Sequence, residues 1–428
     1  MRWHSILLTT CLVCGVAAAA AGQDPEIPAP APAPAVFDPI RAMVERLDLE
    51  KYKATIKGLT AFGDRRQGTE RNRKAVDWIE AQLKSYGCTN TERIVYTHPS
   101  PEASDPAAAG RGRGAGQRGR GGRGGSPVSN GPVRGREGGP TQFGTLVRTP
   151  VYAPDAPGAA PLDPRLRALN AEPTTPGERQ EVYCTKIGAT TPGEMYIVGA
   201  HMDGIGWGEA ANDDGSGTAI VMELARIFSA PDVQTDRSIR FILWNNEETG
   251  LNGAWAYVNQ RKDRQGKEDP PGSGRYPEPK WVGMIQHDMM MWDHGMPGPD
   301  GKVSPEQRRE ADVNIEFQKG AKMAEGAHAL AWAFKTANDR YATDYPATVG
   351  PHMTNTDSGP FMNLVPSISL RENERGAQIG AGWDPNWHQP SDVFTTYTDK
   401  DFRLGLNAAQ TTLGAVGQLA GATLKKAP

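Results

Sequence analysis

The sequence predicts an α/β fold, a three-layer sandwich with a mixed, largely parallel central sheet flanked by helices. Three observations lead there. Apolar runs of strand length alternate with segments of helical period. Three of those runs, in EMYIVGA, RFILWNN and WVGMIQH, are each followed at once by acidic or imidazole side chains. No other region holds patterned apolar residues for a second core, so residues 38–428 are read as one domain.

The N-terminus comes first. Arg2 supplies a short positive region, and Ile6 to Ala21 form an apolar run ending in small residues. Residues 1–22 therefore read as a secretory signal peptide, because the run is short for a bilayer span. Residues 23–37, QDPEIPAPAPAPAVF, read as a Pro/Ala-rich linker of polyproline type. VFDPIRAMVERL has helical spacing. So does RNRKAVDWIEAQLKSYG, where Ala75, Ile79 and Leu83 share a face and Gly87 ends the helix. TERIVYTH is a strand. Residues 101–140 are an Arg/Gly-rich segment that cannot build a core and is expected to be a disordered insertion. Arg-Gly repeats can bind RNA. Here the segment interrupts a chain with enzyme-like motifs, and the reading is a surface insertion.

QEVYCTKIG, EMYIVGA, RSIRFILWNN, WVGMIQH and PSISL read as strands. SGTAIVMELARIF is a helix in which Ile220, Leu224 and Phe228 recur at helical spacing. LNGAWAYVNQR, AKMAEGAHALAWAFKTAND and LGLNAAQTTLGAVGQLAGATL are helices as well. A formal net charge of -3 gives no global attraction to nucleic acid or to an anionic membrane. Signal cleavage would leave two of the four cysteines, Cys88 and Cys184. They form either a disulfide, which an oxidising compartment permits, or two buried thiols.

The chemistry collects where strands end. EMYIVGA runs into His201 and Asp203, RFILWNN into Glu247 and Glu248, and WVGMIQH into Asp288. Ligands of open α/β sheets bind at the carboxyl ends of the strands. Imidazole and carboxylate together suit zinc. Taken singly, Asp213 or Asp214 would be a helix cap, Glu247-Glu248 a solvated helix start and His388 a turn residue. Their joint arrangement points to a metal site. His287 should face away from it, since strand neighbours alternate faces. His98, His294 and His328 read as surface or structural residues.

The stretches VGAHMDGIGWGEAANDDGSGTAIVMELAR, RSIRFILWNNEETGLNGAWAYV, MIQHDMM and DPNWHQPSD resemble the M28 family of zinc peptidases, the aminopeptidase-type co-catalytic di-zinc hydrolases. RRQGTERNRKAVDWIEAQLKSYG is similar to that family's N-terminal helix. By motif, the resemblance implies two Zn2+ per chain. One would be held by His201, Asp213 and Asp288, the other by Asp213, Glu248 and His388, with Asp213 bridging. Asp203 would orient His201. A cis peptide would join Asp213 to Asp214. Glu247 would be the general base. Ser358 follows Asp357 where the family often has His, which touches local substrate contacts and leaves the metal ligands untouched.

The implied activity is that of a secreted or periplasmic metallo-exopeptidase acting on peptides, an aminopeptidase before a carboxypeptidase or dipeptidase. The expected partners are peptide substrates, with no nucleic acid and no membrane after signal cleavage. Trp207, Met289, Trp292, His352 and Asp357 are candidates for the substrate pocket. Arg371, or Arg375, would be the carboxylate clamp of a carboxypeptidase. Single-zinc glutaminyl cyclases share the fold, and relatives that have lost ligands act as receptors or scaffolds. His201 and the complete ligand set argue against both.

Overall fold

Strands and helices are interspersed along the chain of this computed structural model. Residues 37–88, 90–98, 163–292, 313–351, 353, 356–372, 384 and 386–425 are described. The chain divides into Met1–Phe37 and Asp38–Pro428. The expected signal peptide, all of the Pro/Ala linker but its last residue, and the Arg/Gly insertion lie outside the described residues.

The helices are α1 (Pro39–Val44), α2 (Leu49–Thr60), α3 (Glu70–Ser85), α4 (Pro164–Asn170), α5 (Gly215–Phe228), α6 (Asn252–Arg261), α7 (Ala324–Tyr341) and α8 (Asp399–Leu419). The strands are β1 (Glu92–His98), β2 (Gly177–Lys186), β3 (Thr191–His201), β4 (Val233–Gln234), β5 (Arg237–Trp244), β6 (Lys280–His287), β7 (Val313–Phe317), β8 (Ala347–Gly350), β9 (Ser367–Arg371) and β10 (Thr423–Leu424). Eight of them form one sheet in the order β1-β2-β5-β3-β6-β9-β7-β8. The centre is parallel, β5 with β3, β3 with β6 and β6 with β9. Antiparallel pairs stand on both flanks, so the sheet is mixed, as expected.

Side-chain alternation divides the central strands between two cores. Val198 and Ala200 of β3, with Phe241 and Leu243 of β5, enter the larger core beneath α5, α7 and α8. Ile197, Ile242 and Trp244 point the other way, into a smaller core with Tyr257 of α6, Trp281 and Phe361. Helix α5 is apolar nearly all round because it lies between the sheet and the outer helices, and almost all of its residues are buried.

Cys88, just after α3, is joined to Cys184 of β2 in a disulfide spanning 96 residues. This resolves the choice the sequence left open. The bond closes a long loop, so replacing both cysteines with Ala should lower unfolding stability by about 2–5 kcal/mol. Urea denaturation of the double variant checks this, and an unchanged midpoint would count against it.

The parallel centre fixes the geometry of the site. His201 pairs in register with Trp244, and His287 with both Ala200 and Leu370. The ends of β3, β5, β6 and β9 therefore lie side by side, and each hands its next residues to one edge of the sheet.

Candidate metal centre

His201 is the last residue of β3 and is buried. Its Nε2 lies 3.3 Å from Asp213 Oδ1 and 3.9 Å from Asp288 Oδ1. His388 approaches from the C-terminal side. Its Nε2 lies 2.9 Å from Asp213 Oδ2 and 2.9 Å from Glu248 Oε2. Asp213 thus offers one carboxylate oxygen to each histidine. The donor atoms of His201, Asp213 and Asp288 fall within 4.8 Å of one another, as do those of Asp213, Glu248 and His388. A third group of the same span joins His201, Glu247 and Glu248.

The surrounding chain is built to hold these groups. Asp214 caps α5 through Gly217 N (2.8 Å) and also accepts from His201 N (3.1 Å) and Met289 N (3.2 Å). One carboxylate therefore ties the ends of β3 and β6 to the start of α5. The Asp213–Asp214 peptide is cis. Asp203 meets His201 through its backbone carbonyl, 2.9 Å from Nδ1, while its carboxylate stands 3.9 Å from that nitrogen. The carboxylate instead accepts from Glu247 N at 3.0 Å and Glu248 N at 3.5 Å. The Asp203 main chain thus contacts His201, and its side chain fastens the Glu247-Glu248 turn. Non-glycine residues in the left-handed region gather here, among them Trp207 (φ 69°), Asn246 (φ 65°), Met289 (φ 62°) and His388 (φ 55°). Such backbone persists where surrounding contacts over-determine it. Gly206 (φ 105°) lies against His388, and a Cβ there would come 2.5 Å from the His388 carbonyl carbon.

The electrostatics are those of a cation site. Burial drives the Glu248 carboxyl up to about 7, with His388 opposing. Burial also pushes Glu247 well above the usual range, His201 opposing and Glu248, Asp357 and Asp288 adding to the rise. The His388 imidazole loses to burial, but Glu248 and Asp213 outweigh that and raise it to about 9. Asp213 goes the other way, its burial outweighed by hydrogen bonds from His201 and His388. Like charges this close cost energy unless a cation relieves them. Glu248 Oε1 is buried without a hydrogen-bond partner, as a metal-facing oxygen would be. The donor set, two imidazoles and three carboxylates, fits zinc.

The remaining candidates fall out differently. Met289 and Trp292, candidates for an apolar substrate pocket, are both buried. Trp292 packs in the larger core with Met290 and Met291. Met290, Met291 and Trp292 therefore pack into the core just past the end of β6. Arg371, the candidate clamp, is also buried, and its Nη1 donates to Asp288 Oδ2 at 2.6 Å. It is engaged by a candidate metal ligand, where a clamp for a substrate carboxylate was expected. Asp357 is fully buried, with Oδ2 3.4 Å from Gln286 Nε2 and Oδ1 unpaired. Trp207 is half-buried, with the Arg66 guanidinium 5.0 Å from its ring centroid. His352 and Arg375 lie outside the described residues, as do Asp293 and His294. His287 faces away as expected, its Nε2 2.8 Å from Thr412 Oγ1 of α8.

The fold and the clustered donor groups define an α/β protein with residues able to hold metal at one edge of its sheet. The model of peptidase family M28 matches residues 183–409, just over half of the chain, and the protein belongs to that family. Aminopeptidase YwaD of Bacillus subtilis is 38% identical over 72 residues, 17% of this chain and 15% of its own. The probable lipoprotein aminopeptidase LpqL of Mycobacterium tuberculosis is 28% identical over 243 residues, 54% of this chain and 43% of its own. The alignments with these two relatives span less than half of each relative's length. Among solved structures, an aminopeptidase from Aneurinibacillus sp. strain AM-1 matches with TM-score 0.54 at 19% identity, covering 90% of this chain and 96% of that one. A zinc aminopeptidase from Bacillus subtilis matches with TM-score 0.54 at 16% identity, covering 89% and 97%. At such identities the likeness speaks for the fold alone.

Proposed function

We propose that the protein is a secreted di-zinc aminopeptidase that removes N-terminal residues from peptides. The observation that carries this reading is the pair of three-residue donor groups sharing Asp213, with Glu247 beside them. His201, Asp213 and Asp288 would hold one zinc, and Asp213, Glu248 and His388 the other. Bound zinc would supply Lewis acidity at the scissile carbonyl and a lower pKa for the attacking water. Glu247 takes the proton from that water on its carboxylate and passes it to the leaving amine. Asp203 holds the Glu247 backbone in place through this exchange.

Polarity follows from charge. Asp357 lies among Asp203, Asp288 and Glu248, so the surroundings of the site are acidic. Such an environment favours a free α-ammonium. Arg371 is engaged by Asp288, which weakens the case for a carboxylate clamp and so for a carboxypeptidase. Secretion is supported by the signal-like N-terminus and by the Cys88–Cys184 bond, of a kind that persists in oxidising compartments.

Amino-acid anilides with a free amine should be hydrolysed, their N-acetyl forms should not, and a chelator should abolish turnover. Faster cleavage of N-acetyl dipeptides with a free C-terminus would replace this reading with a carboxypeptidase.

A further inference from the structure

Arg65 lies outside the family match and outside every ligand motif, yet it is fully buried beside the site. Its backbone is left-handed (φ 50°). Among the described residues its guanidinium makes no salt bridge. Nε donates to the Met202 carbonyl at 2.7 Å, Nη1 to the Glu209 carbonyl at 2.8 Å, and Nη2 to the Ala210 carbonyl at 2.8 Å. Nη1 also meets the Gly63 carbonyl at 3.2 Å. Asn170 adds a fourth hold on the same loop, donating to the Gly208 carbonyl at 2.8 Å. That loop begins one residue after His201, contains Asp203 and ends three residues before Asp213.

The next turn of chain reaches the other half of the centre. Asn72 Nδ2 donates to the Arg65 carbonyl at 2.7 Å and to Asn245 Oδ1 at 3.0 Å, and Asn245 Nδ2 returns a bond to Asn72 Oδ1 at 2.9 Å. Asn245 precedes Glu247 by two residues. A buried cation costs several kcal/mol unless its donors are satisfied. Here its partners are main-chain carbonyls of the loop that carries the site, and burial lowers its proton affinity, with Asp392, Asp64, Asp203 and Asp214 opposing.

We infer that Arg65 is a positioning residue for the metal centre, setting His201, Asp203 and Asp213 through the Met202, Glu209 and Ala210 carbonyls. It touches neither substrate nor reacting atoms. Its planar fork spans three carbonyls at once, which a lysine ammonium cannot do. The inference rests on the dinuclear reading above.

The test uses the full mature chain stripped of metal and titrated with zinc against a chromophoric chelator. Arg65→Gln and Arg65→Lys should both weaken zinc binding by about 10–100-fold, the usual effect of removing a group that orients ligands. Lysine should not restore it, and kcat should fall with KM little changed. A purely structural role would instead lower the melting temperature of the metal-free chain and leave zinc affinity intact, which overturns the proposal. Recovery by lysine would overturn it as well, since charge alone would then suffice. If the wild type binds no zinc pair, the dinuclear reading falls and the proposal with it. If the wild type binds two and Arg65→Gln binds them equally well, only the proposal falls. Should the Arg65 variants be recovered unfolded, Asn170→Ser reports on the same loop through Gly208. Weakened zinc binding there supports the proposal, and wild-type affinity there overturns it.

Discussion

Glu247→Gln should lower turnover by at least about a hundredfold, the low end for loss of a general base, while zinc content stays near two per chain. The amide keeps the shape of the carboxylate but cannot take a proton. The backbone should not move, because Glu247 N is held by Asp203 Oδ1 at 3.0 Å and Asn246 before it is fixed in the left-handed region. Burial and the neighbouring carboxylates of Glu248, Asp357 and Asp288 raise the proton affinity of Glu247, with His201 opposing, and the net direction is what a proton carrier needs. Metal analysis and single-turnover rates on the same preparation separate the two roles open to this residue. His201, Glu247 and Glu248 also form a group of metal-ligand span. Loss of zinc in Glu247→Gln would make Glu247 a ligand, and a different group would have to accept the proton.

What the sequence revealed, and what it hid, divides along physical lines. Strands β3, β5 and β6 are buried on both faces, so their apolar runs stand out, and the polar residues that follow them mark the sheet edge. Strand β7, VNIEF, is harder to read because it is only five residues long and alternates apolar residues with the buried polar Asn314 and Glu316, so it offers no apolar run. Helix α2 went unread although Tyr52, Ile56 and Leu59 recur at helical spacing. Lysines and threonines lie between them, and the stripe is narrow. The ligand motifs were legible because donor type and order survive without coordinates. The roles of Arg371 and Arg65 were not, since an arginine aimed at a buried carboxylate or at carbonyls looks like a surface arginine in sequence. The only textual signal for Arg65 is its place in GDRRQGTE, just before the helix similar to that of the family. Met289 to Trp292 are the reverse case. An apolar run after a ligand can line a pocket or support the ligand from below, and only burial decides between them.

Asp213→Ala should release both zincs, and His201→Ala only one. The expectation follows from counting donors. Asp213 gives Oδ1 to the group with His201 and Oδ2 to the group with His388, so its loss reduces both groups below the three protein ligands a catalytic zinc site keeps. His201 pairs with Asp213 and Asp288, and its loss leaves Asp213, Glu248 and His388 complete. The remaining trio also keeps its supports, for Asp213 N stays bound to Asp392 Oδ2 at 3.2 Å and Glu248 N to Asp203 Oδ2 at 3.5 Å. Elemental analysis after dialysis against trace zinc reads the outcome directly. Circular dichroism on the same samples confirms that each variant is folded. Two zincs per wild-type chain, one in His201→Ala and none in Asp213→Ala is the pattern a shared carboxylate produces. One zinc in the wild type, lost equally in both variants, would instead describe a mononuclear centre, and the bridging role of Asp213 would be wrong.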